Sequence, residues 1–141
     1  MNAVIDQFAT AMTAAGISPS SFDLPVFIDI EDGRQKNTDY ATMTSMMRSG
    51  MQRIKNKGYE TGFYASSSWA NNRFNGKQLE KEGYTSWIAS WYLNNAELNP
   101  YTAVWNGAYP GIWQYRSTGS VNGFPGRLDM NYLYPALVNW A

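Results

Sequence analysis

The sequence predicts an α/β fold built on a largely parallel sheet. Three observations carry that expectation. Short apolar runs rich in Val, Ile, Phe and Tyr alternate with segments of helical periodicity over the first two thirds of the chain. The first two helical segments are closed by a glycine, the second after a basic last turn. The final third holds strand-like runs with little helix between them. The chain has 141 residues, enough for a single domain with a sizeable core, expected over 1–141.

In chain order, residues 3–15 place Val4, Ile5, Phe8, Ala9 and Met12 on one helical face, with Gly16 as the stop. After a loop, PVFIDI is β-branched and aromatic, and short enough for a buried strand ending at Glu31-Asp32-Gly33. A second helix is expected from an N-cap near Thr38. Tyr40, Met43, Met47, Met51 and Ile54 form its inner stripe, and Gly58 stops it. That methionine stripe reads as core packing. Strands follow at Thr61 to Tyr64 and Thr85 to Trp91, separated by a Ser/Asn-rich stretch with one or two short helices through Glu82. A long polar and aromatic loop spans Asn94 to Pro110. The spacing then predicts a strand over Ile112 to Tyr115, a glycine-rich turn system over 117–126, a strand over Leu128 to Asn131, and a short helix in YLYPALVNWA broken at Pro135.

Composition narrows the chemistry. The formal net charge is zero, which argues against nucleic acid as the main partner because phosphate binding wants a basic surplus. There is no Cys and no His, so disulfides, thiolate metal sites and histidine-based triads are excluded. No cofactor and no metal site is expected. Acid–base work falls to Asp, Glu, Tyr or Lys. Aromatics make up 16% of the chain, with six Trp and ten Tyr, and flat rings beside short polar side chains suit sugars. No apolar run is long enough for a membrane span. The N-terminus lacks the basic segment of a signal peptide and reads as an amphipathic helix.

Asp29 and Glu31 lie two apart in a strand-like run, which puts both carboxyls on one face. Two neighbouring carboxyls repel as anions, so one holds its proton to higher pH. A protonated acid beside an ionised carboxylate is the equipment of glycoside hydrolysis. Two blander readings compete. In one, Asp29 pairs with a Lys or Arg while Glu31 and Asp32 are solvated. In the other, Asp29, Glu31 and Asp32 form a calcium loop, although the spacing is not that of an EF-hand. Asp129 supplies a third carboxylate in the last strand signal. Tyr64, Trp91, Trp113 and Gln114 fall near strand ends, where a parallel barrel gathers its ligand contacts. Glu80, Glu82 and Glu97 read as surface charges.

Four motifs occur in order: LPVFIDIED, GYETGFYASSSW, SWIASWY and GIWQYRSTGSVNGFPGRLDMNYL. Together they resemble the glycoside hydrolase family 25 muramidases, the Chalaropsis-type lysozymes, over most of the chain. The resemblance implies a modified TIM-like β/α barrel that cleaves peptidoglycan between N-acetylmuramic acid and N-acetylglucosamine, outside the cell or at its wall. Carried over by position, it implies Glu31 as proton donor, with Asp29 and Asp129 as nucleophile or electrostatic stabiliser. It also implies Tyr64, Trp91, Gln114 and the neighbouring Trp113 lining the sugar cleft. Two features depart from the family pattern. The opening strand with its D-x-S type motif has no counterpart here, and Trp91 stands near a position where the family has Tyr. A partial barrel lacking its first strands, with open edges, is therefore expected, with three explanations open: a fragment of a longer protein, a chain completed by a second chain or copy, or a smaller closed sheet with a different role. The competing roles are an inactive glycan-binding module and an assembly piece that pairs through its open edges.

Overall fold

A computed structural model describes residues 1–91, 105 and 110–135. Helix α1 spans Asn2–Ala14, strand β1 Val26–Asp29, helix α2 Tyr40–Lys55 and strand β2 Thr61–Ser66. Two short helices follow, α3 (Ser67–Asn72) and α4 (Gly76–Lys81), and then strands β3 (Thr85–Ala89), β4 (Ile112–Gly119) and β5 (Leu128–Leu133). The five strands form one sheet in sequential order, β1-β2-β3-β4-β5. The first four run parallel, and β5 returns antiparallel beside β4. Helical crossovers explain the parallel pairing of β1, β2 and β3, and the tight turn system before Leu128 explains the reversal. The sheet is open, and β1 and β5 are its edges among the described residues.

Strand alternation divides the sheet into two faces. One face packs Phe63, Ala65, Ile88 and Trp113 against the α2 stripe of Met43, Met47 and Met51, with Phe74, Leu79 and Trp105 filling in. The three stripe methionines are fully buried, as their spacing predicts, whereas Tyr40 remains 43% exposed. Asp39 is the residue that caps α2, its carboxylate accepting from the Thr42 N–H at 2.9 Å, one position after the expected Thr38. The other face carries Phe27, Asp29, Tyr64, Trp87 and Gln114. In the ladder Asp29 lies beside Tyr64, and Tyr64 beside Trp87.

Several boundaries differ from the sequence reading. Strand β4 runs on to Gly119, into the stretch expected to turn. It can do so because Gly119 packs directly under Met130 of β5, where a side chain would collide. Strand β5 takes Tyr132 and Leu133, where the sequence predicts the start of a terminal helix. Residues 136–141 and most of the 94–110 loop lie outside the described residues. Glu82 is a surface charge, as expected, and Glu80 is half-buried, and each holds a partner. The Ser86 hydroxyl donates to Glu80, and Arg48 grips Glu82 at 2.7 and 2.8 Å, tying α2 to the end of α4. Only half of α1's apolar face is covered. Ile5 and Met12 are buried, while Val4 and Phe8 stay 66% and 50% exposed beside the free edge of β1. Arg53 and Lys57 hold α1 in place through Asp6, at 2.5 and 3.3 Å.

Candidate active site

The site forms where the C-terminal ends of the parallel strands meet the start of β5. Because β5 is antiparallel, its second residue, Asp129, returns to the same end of the sheet as Asp29. Glu31 lies just past β1, two residues beyond Asp29. Its Oε1 accepts the main-chain N–H of Ser66 at 2.5 Å. Ser66 ends β2 and caps α3. The second oxygen of Glu31 has no partner among the described residues and is free to meet a ligand.

Asp29 stands at the solvent-open end of its strand, and not buried between Ile28 and Ile30 as its neighbours suggest. No cation pairs with it among the described residues. Its carboxyl is raised above the ordinary range, first by partial loss of hydration and then by the nearby charge of Glu31. Asp32 is spoken for by Arg34, which holds it in a fork at 2.5–3.1 Å and pulls its carboxyl down to about 2. That pairing removes Asp32 from any calcium loop. Among the described residues, no group of three or more acidic side chains is arranged to hold a metal ion.

Gln114 links the aromatic side of the site to Asp129. Its Oε1 accepts from the Trp91 indole N–H at 2.9 Å and from the Tyr64 hydroxyl at 3.2 Å, and its Nε2 faces Asp129 Oδ2 at 3.5 Å. The Tyr64 hydroxyl is raised by burial, and then by the charges of Glu31, Asp29 and Asp129. It thus stays a hydrogen-bond donor in neutral solution. Tyr64, Trp91 and Gln114 therefore gather with the carboxylates.

Two of the expected cleft residues sit differently. Trp113 is fully buried and donates to the Ser90 carbonyl at 3.0 Å. It faces the helices, because adjacent strand residues point to opposite faces and Gln114 takes the polar one. Gln114 is only 3% exposed, so its amide is used by protein partners. Trp87 was not singled out by the sequence reading. Its ring packs edge-on against Phe27 and Tyr64, with centroids at 5.3 and 5.1 Å, and its N–H donates to Asn131 at 2.8 Å. The signal was present: Trp87 is four residues before Trp91 and shares its parity in the strand.

An α/β sheet with acids and aromatics assembled at the strand ends defines the ligand-binding end of a β/α-barrel type protein. Residues 4–124 match the glycosyl hydrolases family 25, and the chain belongs to that family. No curated protein matches it. Among solved structures, it is similar to the CTP1L endolysin (23% identity, TM-score 0.63), covering 97% of this chain and 44% of that one. It is also similar to the Clostridium perfringens spore cortex lytic enzyme SleM (17% identity, TM-score 0.61; 95% and 45% covered). A third likeness is to the catalytic domain of endolysin ply40 from bacteriophage P40 of Listeria monocytogenes (21% identity, TM-score 0.56; 80% and 50% covered). The chain thus spans about half the length of these structures and shares part of their barrel fold.

Proposed function

We propose that this chain carries the acid-bearing half of a peptidoglycan-cleaving muramidase site. The bond cut is the β-1,4 linkage between N-acetylmuramic acid and N-acetylglucosamine, at the cell wall. The observation that carries this reading is the setting of Glu31, with one oxygen fixed by the Ser66 N–H and the other open. It stands beside Asp29, which has no cation partner among the described residues, and near a face of Tyr64, Trp87 and Trp91.

In this reading Glu31 gives its proton to the glycosidic oxygen as the C1–O bond breaks. The electron pair of that bond leaves with the oxygen, and positive charge develops on the sugar ring. Asp29 and Asp129 supply negative charge to that ring, as nucleophile or as stabiliser. Water then adds its hydroxyl to C1 and returns its proton to the carboxyl pair. Trp91, 53% exposed, offers a flat face to a sugar ring. Reducing-end release from purified peptidoglycan, run beside Glu31→Gln, tests this. Release by the wild type alone supports the reading. No release by either, with peptidoglycan still captured in a pull-down, replaces it with a binding module.

A completing polypeptide is part of the proposal. Strand β1 is paired on one side only among the described residues. A groove of about 380 Å³ lies along it, lined by Val4, Phe8, Phe27, Ile28 and Met46. The buried Oε1 of Gln35 at this groove has no partner. Open backbone beside uncovered apolar side chains suits an added strand from a second chain or copy. Sedimentation of the chain alone measures this, and a monodisperse monomer active on peptidoglycan would count against it.

A further inference from the structure

Gln114 holds the only amide that reaches both the aromatic wall and a carboxylate of the site among the described residues. An indole N–H can donate but not accept. The Gln114 oxygen must therefore face Trp91, and the amide cannot flip. The Tyr64 hydroxyl donates to that same oxygen. With the oxygen fixed, the NH2 group is directed at Asp129. The Trp91 ring is left open to solvent while its N–H is tied down.

From this geometry we infer that Gln114 is a positioning residue, locking the Trp91 ring and the Asp129 carboxylate in one relative placement without touching the glycan itself. The inference rests on the hydrolase reading only for what the placement serves. Trp91 follows β3, Gln114 lies in β4, Asp129 in β5 and Tyr64 in β2. One side chain thus spans four consecutive stretches of the sheet. A ring that orients the sugar and a carboxylate that meets its anomeric carbon must agree in position, and misplacement by about 1 Å can cost 100-fold in rate.

Two substitutions separate the halves of the role. Gln114→Met keeps the volume but removes both acceptor and donor. Gln114→Glu keeps an acceptor for Trp91 and Tyr64 but sets an oxygen against Asp129. The readouts on the full chain are the Trp91 indole N–H resonance, the Asp129 side-chain carboxyl resonance, affinity for an N-acetylglucosamine tetramer, and reducing-end release from peptidoglycan. In Gln114→Met the indole resonance moves to that of an unbonded N–H, and affinity falls about tenfold. In Gln114→Glu the indole resonance and affinity hold within about twofold, the Asp129 resonance moves, and turnover falls about 100-fold. Unchanged indole resonances of Trp69, Trp87 and Trp113 show that each variant is folded.

An unmoved Trp91 resonance in Gln114→Met would overturn the inference. So would equal loss of affinity in both variants, since that marks Gln114 as a direct sugar contact. If the wild type releases no saccharide, the hydrolase reading fails, and the two resonances still decide the role of Gln114.

Discussion

The main-chain N–H of Ser66 donates to Oε1 of Glu31 at 2.5 Å. The side chain of Ser66 does a separate task, accepting the Trp69 N–H at 3.4 Å as the cap of α3. The two roles can be separated by mutation. Ser66→Ala keeps the main-chain donor, so hydrolysis should persist with a stability loss of about 0.5 kcal/mol, low in the range for caps because the bond is long. Ser66→Pro removes the donor while suiting the local φ of −64°. Saccharide release should then fall about 100-fold. Assays of both variants beside their melting curves check this, and equal activity would show that the N–H does not orient Glu31.

Asp29 gives a stability prediction with a definite sign. Its folded value is raised, so the folded chain favours the protonated form. Below the unfolded value both states carry the proton and there is no penalty. As pH climbs through the raised value, the folded chain must ionise against lost hydration and the Glu31 charge, and stability is lost. Asp29→Asn stays neutral throughout. Its melting midpoint should exceed that of the wild type near about pH 7 and converge with it near about pH 3. The gain should be small, because Asp29 is open to solvent and its charge is screened. Loss of turnover in the same variant would mark a residue kept for chemistry at a cost in stability.

The two neighbouring roles of tryptophan can be told apart by paired substitutions. Trp113→Ala empties a fully buried site and should cost about 3–5 kcal/mol in denaturant unfolding. Trp113→Phe should leave glycan affinity unchanged. Trp91→Ala touches little of the core and should leave the unfolding midpoint nearly in place while glycan affinity drops about tenfold or more. The reverse pattern would place the sugar on the wrong face of the sheet.

Gly62 is required for strand spacing. A methyl there would overlap the Thr85 carbonyl oxygen of β3 and press on the Phe27 ring at 2.9 Å. Backbone does not yield as a flexible side chain does. Gly62→Ala should therefore destabilise by about 3 kcal/mol and shift Asp29, Tyr64 and Trp87, which share the ladder row two residues further along on the same face. Unfolding curves and the Trp87 indole resonance measure both effects.

Much of this arrangement was legible in the order of residues. The α2 stripe, the strand at PVFIDI, and the shared parity of Asp29 and Glu31 follow from helical and strand periods, which act locally. Parity also separates Trp113 from Gln114, but it does not say which of the two faces inward. That depended on the side where α2 laid its methionines. The extension of β4 to Gly119 and of β5 to Leu133 was hidden as well, because pairing between distant segments overrode glycine-rich composition.

The sequence by itself determined the chemistry available: carboxylates without histidine or cysteine, aromatics in plenty, and no charge surplus. Local periods then set which residues share a face. Only the tertiary structure decided the pairings that make a site. It bonded Glu31 to the Ser66 N–H, left Asp29 without a cation among the described residues, gave Asp32 to Arg34, and converged Trp91, Tyr64 and Asp129 on Gln114. Each of those contacts, except the one between Asp32 and Arg34, joins residues on or just past different strands. Such contacts arise from how the strands stack, which no local period encodes.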